Sequence, residues 1–302
     1  MIRNIRGEPV KESYLEEGLD KRTNNEIKQQ KEAMESVNWH VWERCNYKCK
    51  FCFATFPQIK NRLTRERALL IPTLLADAGI KKLNFVGGEP LLCPYIGELL
   101  SASRKAKLKT SIVTNASRLS RQFLETNSSN IDWIGISIDS ANEDTEKSLG
   151  RGLGDHVGMA VSRAGMVKDF GIRLKVNTVV TSLNFKEDLT ALISELGPDR
   201  WKVFQMLLIY GENVKTGKNL AINRDQFMEF VSRHKQLGPI VEDNDAMTGS
   251  YLMLDPMGRF FQNWGGHYVR SESVQDIGVQ AAIDQVGWSH QKFMDRGGEY
   301  NW

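Results

Sequence analysis

"VNWHVWERCNYKCKFCFATF", residues 37–56, changes its rhythm half-way along. Val37, Trp39 and Val41 alternate with Asn38 and His40, the period of a half-buried β-strand. Cys45, Cys49 and Cys52 then follow at a C-x₃-C-x₂-C spacing, so three of the chain's four cysteines fall in one short loop. A disulfide framework pairs its cysteines and leaves no knot of three, and a structural zinc takes four ligands. Three thiolates can instead hold three irons of a [4Fe–4S] cluster, which ordinarily takes four cysteines, leaving one iron open. Phe51 and Phe53 flank the last cysteine as candidate walls of a pocket beside that open position. On these residues alone, a zinc or electron-transfer site completed by Cys93 or a histidine stays open.

Outward from this loop, the chain reads as successive βα units. Further strand-like stretches run over 81–86, 109–114, 132–138, 172–180 and 200–208. Helical patterns lie between them, two of which end at Gly171 and Gly197, as helix C-termini often do. Strands alternating with helices of this length predict a parallel sheet. Six strands are too few for a closed eight-stranded barrel and predict a partial (β/α)₆, TIM-like one over residues 37–211. Residues 1–36 read as a polar N-terminal arm, and 212–302 as a C-terminal extension covering one end of the barrel. That extension holds a helix capped by Asn223, two short strands around Pro256–Gly258 and a final helix through "VQDIGVQAAIDQV". In such folds chemistry collects at the C-terminal ends of the strands. The cysteines follow strand 1, "GGEP" follows strand 2, "TNAS" ends strand 3 and "SIDS" ends strand 4.

Bulk properties narrow the class. The 302 residues are 41% hydrophobic and 25% charged, ordinary for a soluble enzyme. A net charge of +3 is too mild for a nucleic-acid-binding footprint, so no nucleic-acid partner is expected. The leader has no signal-peptide core, and no run approaches the roughly 18 apolar residues of a spanning helix. A cytoplasmic monomer with no membrane contact is expected, and clustered thiols in a reducing compartment favour metal ligation over disulfides.

C-x₃-C-x-aromatic-C after a first strand, joined to "GGEP" after the second, resembles the signature of the radical S-adenosylmethionine (SAM) superfamily. "CNYKCKFCF", "LNFVGGEP", "RWKVFQMLLIYGEN", "SYLMLDP" and "RGGEYNW" are similar, in that order, to segments of its viperin family. That family dehydrates a nucleoside triphosphate to the 3′-deoxy-3′,4′-didehydro form, and an antiviral role is implied through it. The resemblance implies that Cys45, Cys49 and Cys52 carry a [4Fe–4S] cluster whose open iron takes SAM. Gly87, Gly88 and Glu89 would hold the methionine end of SAM, and Asn115, Ser137 and Arg151 would complete its pocket. An electron donor of the reductase, flavodoxin or ferredoxin type is implied as a partner.

A triphosphate needs several cationic donors. Lys175 and Asn177 lie two apart and so project to one face of a strand, and Arg200 and Lys202 repeat the spacing. Inward-facing lysines on apolar strands are poorly explained as structure, because buried charge is costly. The resemblance adds Lys82 and Asn84, and implies Tyr251 as the donor of a hydrogen. Val86 and Ala54 depart from the family, which has serine and histidine there, and Trp302 matches an internal tryptophan. CTP is the expected nucleotide, with UTP and GTP open. Two other readings stand beside this one. The first is a radical SAM enzyme acting on a peptide or cofactor precursor, against which the lack of cysteines after Cys93 counts. The second is a non-enzymatic zinc or iron–sulfur protein.

Overall fold

The computed structural model describes residues 35–300, so most of the polar arm expected over 1–36, and Trp302, lie outside the described residues. The six expected strands are present: β1 (Ser36–Trp42), β2 (Lys82–Gly87), β3 (Lys109–Thr114), β4 (Trp133–Ser137), β5 (Arg173–Val180) and β6 (Arg200–Gln205). Each pairs in parallel with the next. The crossovers carry helices α1 (Arg65–Asp77), α2 (Ile96–Lys105), α3 (Arg121–Asn127), α4 (Glu143–Leu149), α5 (His156–Asp169) and α6 (Thr190–Leu196).

Alternation along the strands makes the two faces. Val37, Trp39, Leu83, Phe85, Leu174 and Val176 point one way and share a single buried core. Their neighbours Asn38, Lys82, Asn84, Lys175 and Asn177 point the other way, into the concave side of the sheet. The helical pattern that ends at Gly197, "FKEDLTALISELG" over 185–197, forms a helix only from Thr190. Asn184 is the reason: its side-chain oxygen accepts the Thr181 N–H at 2.7 Å, which holds the segment as a turn.

The sheet does not stop at six strands. β7 (Ile240–Glu242) runs parallel to β6, and β8 (Leu252–Leu254) runs parallel to β1. β9 (Arg259–Trp264) and β10 (His267–Ser273) follow as an antiparallel pair. The order is β10-β9-β8-β1-β2-β3-β4-β5-β6-β7, an open sheet and hence a partial barrel. The region after residue 211 therefore extends both edges of the sheet. It also carries α7 (Arg224–Arg233), whose N-terminus has a capping box between Asn223 and Gln226. Curling brings the start of β8 against β6 and β7: the Tyr251 hydroxyl accepts a hydrogen bond from Lys202 Nζ at 2.9 Å.

Candidate active site

Cys45, Cys49 and Cys52 are free and half-buried on the loop after β1. Neighbouring backbone pins the loop from below. Lys48 N–H donates to the Gly150 carbonyl at 3.2 Å, and Lys50 N–H donates to that of Leu149 at 2.9 Å. The later part of the chain holds it from the other side: Asn213 Nδ2 donates to the Phe51 carbonyl, and Tyr268 OH to that of Phe53, both at 2.8 Å. Glu212 closes the grip by accepting the Thr55 and Phe56 N–H groups at 2.8 and 2.7 Å.

The three thiols suit a cluster better than a lone ion. Among the described residues no three His, Cys, Asp or Glu side chains converge tightly enough to hold one metal ion. In a cube-shaped cluster each thiolate meets a different iron, so the ligands stand apart. Burial pushes the Cys49 thiol up to about 12 and the Cys52 thiol up to about 11, so metal must displace a proton from each. Burial raises the Cys45 thiol as well, opposed in part by the Tyr47 N–H that Sγ accepts at 3.3 Å and by Asn115 Nδ2 at 3.8 Å.

The "GGEP" glycines bolt this loop to the end of β2. A Cβ on Gly88 would stand 2.3 Å from the Arg44 carbonyl oxygen, and one on Gly87 2.5 Å from that of Trp42. The space they leave lets Gly88 N–H donate to Trp42 O at 2.6 Å and Glu89 N–H to Arg44 O at 2.8 Å. Glu89 is buried, and its carboxylate accepts from Thr114 Oγ1 at 2.7 Å and from the Asn115 N–H at 2.9 Å, tying strand ends β2 and β3 together. Gly150 makes a third close approach, at φ +85°, where an added Cβ would meet Lys48 O at 2.2 Å. Gly150→Ala is expected to destabilise the protein by about 1–3 kcal/mol through backbone strain and crowding. Thermal melting and iron content after reconstitution will both fall; an unchanged melting point would contradict this contact.

Asn115 gives Nδ2 to Asn46 Oδ1 at 3.1 Å, and its Oδ1 accepts from the Ser117 N–H at 3.0 Å. The Ser137 carbonyl accepts from His156 Nε2 at 2.9 Å. Arg151 is buried and ion-paired: its Nε lies 2.5 Å from Asp139 Oδ2 and 3.6 Å from Glu146 Oε2. Its guanidinium also lies 5.5 Å from the centroid of the Phe51 ring. Phe51 packs with Leu149, Met206 and Leu220, whereas Phe53 is 40% exposed with its ring edge-on to His40.

Deeper in the barrel, Lys82, Lys175, Arg200 and Lys202 converge. Lys82 and Lys175 both donate to the Tyr300 hydroxyl, and the Arg200 guanidinium lies 4.0 Å from the Tyr300 ring centroid. Burial pushes Lys82 down to about 7 and Lys202 down to about 8. Burial, then repulsion from Lys82 and Lys202, holds Lys175 well below the ordinary lysine range. Beside these cations, Asn84 Oδ1, Asn177 Oδ1 and Ser111 Oγ are buried without a hydrogen-bond partner. Sheet register sets Asn84 against Ser111 and Asn177 against Lys202. These cations and unmet polar atoms line one cradle on the concave side of the sheet, with the two amide oxygens free to accept hydrogen bonds.

The sequence pattern of the Radical SAM superfamily matches residues 39–216, which span β1–β6 and the cysteine loop. The chain is 43% identical to the S-adenosylmethionine-dependent nucleotide dehydratase of Flammeovirga pacifica, covering 88% of this chain and 96% of that one. The chain belongs to the radical SAM nucleotide dehydratases. It is also 36% identical to the S-adenosylmethionine-dependent nucleotide dehydratase RSAD2 of Oncorhynchus mykiss, over 93% of this chain and 84% of the relative. The solved structure of anSMEcpe with bound AdoMet matches at a TM-score of 0.65 and 17% identity, covering 83% of this chain and 80% of the other, a likeness of fold. Radical SAM nucleotide dehydratases carry a [4Fe–4S] cluster and use SAM.

The fold of this dehydratase adds residues that the sequence did not single out. Asn38 accepts from Asn84 Nδ2 at 2.8 Å inside the barrel. Its place two residues before His40 on an alternating strand was the available signal. Glu242, on the three-residue β7, is fully buried and ion-paired with Lys202, accepts a hydrogen bond from the Tyr251 hydroxyl, and lies 3.4 Å from Arg296. Arg296 lays its guanidinium 3.6 Å from the centre of the Tyr251 ring. Neither had a local signal, because both meet the site only through the curl of the sheet. Among the described residues no helix is long and apolar enough to cross a membrane.

Proposed function

We propose that this dehydratase takes a nucleoside triphosphate, CTP first, and converts it to the 3′-deoxy-3′,4′-didehydro nucleotide. The observation that carries the substrate class is the convergence of buried Lys82 and Lys175 with half-buried Arg200 and Lys202 in one cradle. A polyanion favours the protonated form of lysines that burial and mutual repulsion depress, and arginine with lysine suits phosphate oxygens. Asn84 and Asn177 offer their unmet amide oxygens to ribose hydroxyls in the same layer.

Cys45, Cys49 and Cys52 would hold the cluster, and Gly87, Gly88, Asn115, Ser137 and Arg151 would border SAM beside it. The chemistry that the bound, reduced cluster and SAM would supply is a 5′-deoxyadenosyl radical, the hydrogen acceptor for the ribose 4′ position. The protein's part is placement. The cradle anchors the phosphates deep in the barrel, and the rim loops fix the cofactor end. Phe51 braces the cysteine loop from beneath, while Phe53 shields it with His40. Tyr251, buried beside Lys202, is the group placed to complete the reduction. A one-electron donor of the flavodoxin or ferredoxin class is the partner this chemistry requires.

Anaerobic incubation of the reconstituted, reduced protein with SAM and equal amounts of CTP, UTP, GTP and ATP tests substrate and base together. One nucleotide, CTP, is expected to be consumed to a product lighter by one water. Cleavage of SAM with all four nucleotides intact would contradict the reading.

The cradle also predicts a pH dependence. Lysines depressed to about 7 and about 8 lose their protons as pH rises past those values, and with them their attraction for phosphate. The nucleotide KM will therefore climb from neutral pH upward. Triphosphate holds these lysines protonated, so binding near pH 8 will take up protons, read by calorimetry in buffers of different ionisation heat. Proton release on binding would contradict the assignment.

A further inference from the structure

Buried around the Tyr251 hydroxyl is a set of groups that nucleotide binding alone does not explain. Tyr251 OH donates to Glu242 Oε2, and Lys202 Nζ donates to the Tyr251 oxygen at 2.9 Å. Lys202 also pairs with Glu242, while Arg296 lies 3.4 Å from Glu242 Oε1 and 3.6 Å from the centre of the tyrosine ring. Arg296 is fixed in turn by donating to the Ser250 carbonyl at 3.2 Å. A cradle for phosphate gains nothing from a carboxylate paired to one of its cations, because that charge repels the ligand. A phenol that gives up an electron does gain from it, since the phenoxyl forms readily only when its proton has somewhere to go.

We infer that Glu242 is the positioning residue and proton acceptor for Tyr251, receiving the phenolic proton as Tyr251 gives an electron to the substrate. This rests on Tyr251 as the reductant of the proposed reaction. Loss of the 4′ hydrogen atom and departure of the 3′-hydroxyl as hydroxide leave the ribose one electron short, as a radical cation. One electron from Tyr251 closes the C3′–C4′ double bond, and its O–H proton passes to Glu242 Oε2. Tyr251 is left as a neutral phenoxyl and Glu242 as a carboxylic acid. Glu242 then returns that proton to the departing hydroxide, which leaves as water. One electron from the flavodoxin- or ferredoxin-class donor, with a solvent proton, restores the phenol.

The starting protonation states agree with this direction of travel. Burial alone would raise the Glu242 carboxyl, but Lys202 and Arg296 hold it below its ordinary value, so it starts ionised. Burial, with the Glu242 charge, holds Tyr251 well above the usual phenol range against the pull of Arg296, so it starts protonated. The charged groups facing the pair are Lys202, Arg200 and Arg296.

The test uses Glu242→Gln, Tyr251→Phe and the double variant in the reconstituted full-length protein, with three readouts. These are nucleotide Kd, 5′-deoxyadenosine formed, and the ratio of dehydrated nucleotide to 5′-deoxyadenosine. Glu242→Gln frees Lys202 for phosphate, so Kd should hold or tighten, while the product ratio falls at least tenfold. Tyr251→Phe should lower the ratio as far, and the double variant should be no worse than either single one, as for residues serving one step. A Glu242→Gln variant that loses affinity and keeps its ratio marks Glu242 as structural and overturns the inference. A normal ratio in Tyr251→Phe overturns the tyrosine reading instead, which separates the two failures. Should Glu242→Gln fold poorly, Glu242→Asp keeps the charge, and recovery of the ratio in it is the expected result; a ratio as low as that of Tyr251→Phe would count against proton acceptance.

Discussion

Cys49→Ala will yield a folded, colourless protein whose iron falls to background and which forms no 5′-deoxyadenosine under reducing conditions. Three thiolates are the least a site-differentiated cluster uses here, and removing one leaves two open irons that water and oxygen attack. The fold should survive, because the loop is held by backbone bonds from Lys48 and Lys50 and by Asn213 and Tyr268, none of which passes through the thiol. Its melting point without iron should match that of the unsubstituted protein stripped of iron. A brown Cys49→Ala protein that still cleaves SAM would remove this loop from the chemistry.

The second large effect is of opposite sign in two assays. Lys175→Met should raise the stability of the nucleotide-free protein and cut kcat/KM for the triphosphate by about 10- to 150-fold. The loss follows from one charge-assisted hydrogen bond worth roughly 1.5–3 kcal/mol. The gain follows because Lys175 is buried among Lys82, Lys202 and Arg200, all of which oppose its charge. Replacing such a cation with an apolar side chain of similar length is commonly neutral or stabilising by about 1–4 kcal/mol. Linkage gives the same sign. A lysine whose folded pKa is depressed binds fewer protons folded than unfolded, so the native site costs stability below its unfolded pKa and recovers it as pH rises. The stability advantage of Lys175→Met should therefore shrink toward pH 10. A variant that is both less stable and fully active would contradict the cradle.

These effects fall on residues of very different legibility. Cys45, Cys49, Cys52, Gly87 and Gly88 could be read because each motif is contiguous and its chemistry local. Lys175 with Asn177, and Arg200 with Lys202, could be read because a strand sends every second side chain the same way. The depth of Arg151 was hidden: nothing in "GRGLG" announces that Asp139 and Glu146 enclose it. Glu242 and Arg296 were hidden for a different reason. β7 has three residues, too few for a period to show, and Arg296 comes from a helix end far along the chain. Only the curled sheet, by setting β8 beside β1 and its start against β6, brings them to Tyr251. β7 to β10 were underestimated as a cover because short strands joining an existing edge carry little pattern of their own.

The most direct test of the account follows one atom. The reduced, reconstituted protein is incubated anaerobically with SAM and CTP deuterated at the ribose 4′ position, and both products are weighed by mass spectrometry. Expected in equal amounts are 5′-deoxyadenosine carrying one deuterium and an unlabelled nucleotide that has lost its deuterium and its 3′-hydroxyl, together one HDO. Unlabelled 5′-deoxyadenosine with intact CTP, and the same result with the other three nucleotides, would contradict it.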